Sequence, residues 1–181
     1  MRALHSILLG VSRAGVWLLG AGYLLVALAT TLDVTLRNAL GASVPGVYEF
    51  SGYVFAVATT WGFAFVLLER GHVRIDVGYQ RVGVRARAWL DIVALIAMGV
   101  FVAMLTFRAW GTVEDTILFD ARARTTLQTP LWIPQALWLA GLGYFLLCNA
   151  FLIVWTLGLA ISGRHGEVSD VAGIPHVAGG R

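Results

Sequence analysis

The side chains able to do chemistry are few and far apart. Ten carboxylates, four histidines and one cysteine are spread over 181 residues. Two of the acids stand out by position. Glu49 opens an apolar run that begins at Phe50; an acid beside hydrocarbon is costly and is often a proton or cation site. The same acid also suits the positive end of a helix dipole, which needs no further function. Asp33 precedes Arg37 by four residues, so the two share one helical face, either as an ion pair that ends the helix or as a contact for another protein. His5, His72, His165 and His176 all fall outside the long apolar runs, where no two can face each other as a di-haem bundle requires. Cys148 stands alone, so neither an internal disulfide nor a CxxC centre can form. The chain has no H-E-x-x-H, no G-x-S-x-G and no glycine-rich phosphate loop followed by lysine, the patterns that would mark zinc, acyl-transfer or nucleotide chemistry. It also lacks the paired Gly/Pro-broken helices of a transporter's own substrate site. The residues therefore predict no catalytic centre, no cofactor and no metal.

What must position these residues is an unusually apolar chain. Apolar residues make up 59% and charged residues 13%, with a mean hydropathy of +0.79; ordinary soluble domains run at about 45–50% and about 25%. Such a chain has too little polar surface to face water all round. Residues 14–32, 50–68, 92–107 and 125–163 carry no charge. A helix crosses a bilayer core with about 20 apolar residues, and lipid cannot satisfy a free backbone donor or acceptor. The expectation is an all-α integral membrane protein of four helices, spanning about 14–36, 48–68, 91–113 and 135–161. Residues 1–161 form one membrane domain, and 162–181 a short, Gly-rich, disordered cytoplasmic tail. Ala27-Leu28-Ala29 resembles a signal-peptide cleavage site, but the apolar run before it exceeds the usual 7–15 residues, so the first span is expected to stay. Thr60 with Gly52 and Ala56 forms a small-residue stripe suited to close helix approach.

All 13 basic residues are arginine. With the N-terminus inside, the inner segments hold nine of them (Arg2, Arg13, Arg70, Arg74, Arg81, Arg85, Arg87, Arg164, Arg181) and the outer ones three (Arg37, Arg122, Arg124), Arg108 lying within a span. Excess arginine inside places both termini in the cytoplasm. Trp17, Trp89, Trp110, Trp132 and Trp155 fall near the membrane edges, whereas Trp61 falls mid-span and reads as a packing residue. Arginine lying between spans orients a chain in lipid, so the basic balance does not imply nucleic acid. The first outer loop, rich in Gly, Asn and Pro, predicts a tight turn between antiparallel neighbours. The second, from Glu114 to Pro134, mixes charges with Ile117, Leu118 and Phe119 and reads as a partly helical surface segment.

The inner segment between the second and third spans is Arg-rich. Ile75, Tyr79, Val82, Ala86 and Trp89 recur at helical intervals, flanked by Arg74, Arg81, Arg85 and Arg87. Aromatics on one face and arginines beside it predict an amphipathic helix lying in the membrane interface, next to anionic lipid. Gly78 and Gly83 interrupt that pattern.

Three short elements carry a family resemblance: Arg37-Asn38 at the end of the first span, Gly46-Val47-Tyr48-Glu49 opening the second, and Gly71-His72-Val73-Arg74-Ile75-Asp76 just after it. With the four spans and the Arg-rich segment before Leu90-Asp91, they resemble the small membrane subunit of tripartite ATP-independent periplasmic (TRAP) transporters, the DctQ-like family. The resemblance covers roughly Val16 to Leu159; Gly83 departs from it, where the family has proline. It implies a subunit of the bacterial inner membrane that works with a large membrane subunit and a periplasmic solute-binding protein. Transport in such systems is sodium-driven uptake of organic acids such as C4-dicarboxylates, and the substrate and sodium sites belong to the large subunit. It also implies that Asp33, Arg37, Asn38 and Glu49 sit at the periplasmic face. Gly71, His72, Arg74 and Asp76 would form a cytoplasmic turn, Gly71 making the bend out of the second span. Two rival readings remain at this stage: a self-contained proton-coupled exporter that uses Glu49, and a membrane assembly factor.

Overall fold

The computed structural model describes residues 1–71, 82–125 and 127–173. His72, Arg74, Ile75, Asp76, Tyr79 and Arg81 lie outside them. Five helices account for most of the described chain: α1 (Arg2–Leu40), α2 (Val47–Leu68), α3 (Val84–Leu118), α4 (Trp132–Ile161) and α5 (His165–Ala172). The first four are long and apolar enough to cross a membrane, and no strand forms among the described residues, only an isolated antiparallel bridge between Arg122 and Pro130. The all-α membrane architecture expected from composition is the one observed.

The helices outrun the charge-free runs that announced them. α1 begins at Arg2 rather than near residue 14, and α3 extends from Val84 to Leu118. Hydropathy delimits only the part that hydrocarbon can hold. Backbone hydrogen bonding continues outward through the interface until a residue stops it. At the start of α3 that residue is Gly83, extended at φ −66° and ψ 158°. Its carbonyl accepts the Arg87 N–H at 3.0 Å, and the Arg87 Nε–H donates back to the Val82 carbonyl at 2.8 Å. Most of the expected interfacial helix lies outside the described residues, and only its C-terminal part can be placed. Val82 and Gly83 are not helical, and Arg85 and Trp89 belong to the first turns of α3. The stripe that joined Ile75 to Trp89 by periodicity is thus broken at Gly83, a residue that costs a helix about 1 kcal/mol.

Packing sets the helices in the order α1, α2, α4, α3, with α5 against α3 and α4. In lipid the helices gain little from apolar burial alone, so close backbone approach and polar ties decide how they meet. A Cβ on Gly141 of α4 would lie 2.7 Å from Trp61 Cδ1 and 2.9 Å from Thr60 Cβ. The two helices touch there because position 141 has no side chain. A Cβ on Gly15 of α1 would stand 3.2 Å from Trp61 on its other side. Trp61 therefore fills the seam of three helices, stacked on Tyr144 at 5.4 Å, and is the packing residue it was read as. In the stripe of Gly52, Ala56 and Thr60 only Thr60 is buried, and nothing comes within 4 Å of a Cβ on Gly52. The Tyr144 hydroxyl donates to the Leu8 carbonyl of α1 at 2.6 Å, and Ser12 donates to Tyr144 at 3.3 Å.

The core lies toward the α1 N-terminus, around Leu8, Leu67, Leu68, Leu95, Val102, Phe145, Cys148 and Leu152. The tail contributes to it. Composition predicts disorder from residue 162, but Ser162–Gly163 closes α4 with Gly163 at φ 74°, and α5 follows. Val168 and Ala172 of α5 are fully buried against α3 and α4. An eight-residue helix is too short to hold in water by itself; tertiary burial makes it a helix.

Candidate functional site

The α1–α2 and α3–α4 loops lie at one end of the bundle, where Thr125 meets Glu49 and Leu127 meets Gly46. Each loop is fixed to a buried carboxylate. α1 ends at Leu40, and Gly41 takes the left-handed conformation at φ 67° with its N–H on the Arg37 carbonyl at 3.2 Å. Two turns back, Asp33 is only 3% exposed. Its Oδ1 accepts from the Ser43 hydroxyl at 2.8 Å and the Val44 N–H at 2.6 Å, and its Oδ2 accepts from Arg37. A buried carboxylate is tolerable when its lone pairs are filled in this way. The ion pair expected from the spacing is present. Nothing in that spacing indicates that the same carboxylate also ties down the following loop. Asn38 is exposed on the last turn of α1, outside this cluster.

Glu49 does the corresponding work for the second loop. It is 9% exposed in the first turn of α2. Its Oε1 accepts the Tyr53 hydroxyl at 2.7 Å, and its Oε2 accepts the Thr125 hydroxyl from the α3–α4 loop. That loop is a small hairpin: Ala123 N–H donates to the Thr129 carbonyl at 3.0 Å and Leu131 N–H to the Ala121 carbonyl at 3.1 Å. Helix α3 leaves through a left-handed Asp120, and Gln128 turns the tip at φ 48°. Next to Glu49, Gly46 lies at φ 88° with Leu127 against it so closely that a Cβ would collide. Its left-handed conformation favours glycine at 46, and any side chain there would also displace Leu127. Of the second outer loop, expected to be partly helical, the stretch to Leu118 belongs to α3 and the rest forms this hairpin.

At the opposite end, Gly71 takes part in the turn that ends α2, but the left-handed residue is Arg70, at φ 57°. Arg70 N–H donates to the Leu67 carbonyl at 3.1 Å and Gly71 N–H to the Val66 carbonyl at 2.8 Å, the paired closure of a Schellman turn. The Arg70 side chain donates to the Asp170 carbonyl of α5 at 2.8 Å, and Arg13 pairs with Glu69 at 3.2 Å. This end is therefore a junction of α1, α2 and α5. Sequence reading missed Ser12 and Asn149, which are buried, and the half-buried Tyr144, which bonds Ser12 and α1. For Tyr144 and Asn149 the available signal was a polar residue, with a glycine nearby in sequence or on the facing helix, inside a charge-free run.

What the two carboxylates can do chemically follows from their partners. Each oxygen of Glu49 faces a hydroxyl donor, and each oxygen of Asp33 faces a donor. The arrangement anchors loops. Among the described residues no group of three His, Cys, Asp or Glu side chains could hold a metal ion.

A family model, the DctQ component of tripartite ATP-independent periplasmic transporters, matches residues 26–160. The match contains both carboxylates, the α3–α4 hairpin, α2 and α3 whole, and α4 up to Ala160. No curated protein and no solved structure gives a significant match.

Proposed function

Because the chain belongs to the DctQ-component family of tripartite ATP-independent periplasmic transporters, we propose that it is the small, non-catalytic membrane subunit of a sodium-driven transporter. In this reading it braces a large membrane subunit during binding-protein-dependent uptake of an organic acid such as a C4-dicarboxylate. The observation that carries the proposal is the pinned loop face. Asp33 holds the α1–α2 loop and Glu49 holds the α3–α4 hairpin, which gives a fixed surface at one membrane face. Fixed surfaces bind partners at lower entropic cost than loops that must be ordered on contact.

The arginine balance, nine against three, orients that face to the periplasm of a bacterial inner membrane, with both termini cytoplasmic. The exposed Arg37, Asn38, Asp120 and Arg122 then lie where a solute-binding protein would land. Gly71, His72, Arg74 and Asp76 fall on the cytoplasmic side. Glu49 faces two hydroxyls, one of them from another loop; this favours an anchor over the proton-coupled exporter.

The test is reconstitution of the chain with the large subunit and binding protein in liposomes. Uptake requires all three, and Glu49→Gln retains most of it. Uptake of solute by this chain alone would overturn the proposal.

A further inference from the structure

Arg108 is a charge within a span that has no partner among the described residues. It is exposed on α3, and its side chain makes no ion pair or hydrogen bond to a described residue. An arginine at that depth is costly unless an anion comes to it. What surrounds it along the helix is ordered. Phe101, Met104, Leu105, Arg108 and Asp115 fall at positions 0, 3, 4, 7 and 14 of a repeat near 3.6, so they share one face. Phe101 and Met104 are exposed, at 65% and 66%. Toward the end of α3, Arg108, Trp110, Glu114 and Asp115 line a single open cavity of about 390 Å³. From the bilayer core outward, the face therefore reads apolar, then cation, then anion.

A phospholipid with an amino headgroup has the complementary order: acyl chain, phosphate, ammonium. We propose that this face of α3 seats one zwitterionic aminophospholipid of the phosphatidylethanolamine class. Arg108 donates to the phosphate, Asp115 and, from the cavity rim, Glu114 accept from the ammonium, and Phe101, Met104 and Leu105 carry an acyl chain. Charge complementarity selects this occupant. An anionic headgroup such as phosphatidylglycerol would meet the phosphate site but press an uncharged glycerol, and its net negative charge, on two carboxylates. Trp110 belongs at headgroup level, and α3 ends the helix row, packed against α4 and α5. The inference needs the four helices to be membrane spans; it does not depend on the transporter assignment.

The experiment is native mass spectrometry of the full chain, released from detergent with palmitoyl-oleoyl phosphatidylethanolamine or phosphatidylglycerol as the probe. The wild type retains one phosphatidylethanolamine about tenfold more strongly than phosphatidylglycerol, the effect of one charge-assisted hydrogen bond. Arg108→Gln loses retention of both lipids about tenfold. Glu114→Gln with Asp115→Asn equalises the two. All three changes lie on an exposed face, so an unchanged melting temperature separates lipid loss from unfolding. Equal retention by Arg108→Gln, or no preference in the wild type, overturns the proposal. So does protection of Arg108→Cys from maleimide only when a partner protein is co-expressed, which would assign the face to that protein.

Discussion

Glu49→Ala is the sharpest perturbation of the pinned face, because it removes the acceptor of two hydroxyls at once. Tyr53 lies one turn along the same helix, so its bond to Glu49 ties no loop to it. The Thr125 bond matters for the loop, because it runs from the hairpin to α2. A hydrogen bond to a charged acceptor contributes about 1.5–3 kcal/mol, so the hairpin loses about 2 kcal/mol of its local stability. That loss raises its open population about 30-fold. The reporters are the amides of Ala123 and Leu131, whose N–H groups donate to Thr129 and Ala121 at 3.0 and 3.1 Å. Hydrogen exchange of the full chain in detergent micelles reads them directly. Glu49→Gln keeps one acceptor oxygen and accelerates exchange about fivefold, for a cost of about 1 kcal/mol. Glu69→Gln serves as the control. Its pair with Arg13 is exposed, at 42% and 59%, and such pairs contribute at most about 1 kcal/mol. Wild-type exchange at Ala123 and Leu131 in Glu49→Ala would mean that the carboxylate does not hold the loop, and the reasoning fails.

Two further outcomes test the packing. Gly141→Leu places a branched side chain where even a Cβ meets Trp61 at 2.7 Å; thermal unfolding in detergent should show a loss of about 1–3 kcal/mol, the usual range for overpacking. Asn149 is fully buried, with both amide atoms unpaired and Oδ1 2.6 Å from where a Gly99 Cβ would stand. Asn149→Leu should therefore raise stability by about 1–2 kcal/mol, by removing an unsatisfied polar group, and a lowered melting temperature would contradict this.

Much of the architecture was legible in the chain because the signals are local. Charge-free runs long enough to cross hydrocarbon, arginines between them and a glycine-proline turn report on neighbours in sequence, and bilayer thickness converts run length into helix count. The pairing of Asp33 with Arg37 was legible for the same reason, since a helix brings residues four apart together. The helix ends were less so. Arg70 occupies a left-handed position beside a glycine that composition would have chosen, and α5 forms in a stretch whose own content argues against order.

The sequence by itself determined an all-helical membrane protein, the number of its spans and the presence of two acids at one end. Only the tertiary structure decided that those acids are anchors. Thr125 reaches Glu49 across 76 positions of sequence, and Trp61 meets Gly15 on one side and Gly141 on the other. No periodicity encodes such partners, because they depend on which helices pack together and at what height. In lipid that choice is made by a few glycines and buried polar atoms rather than by the apolar content that a sequence displays so plainly.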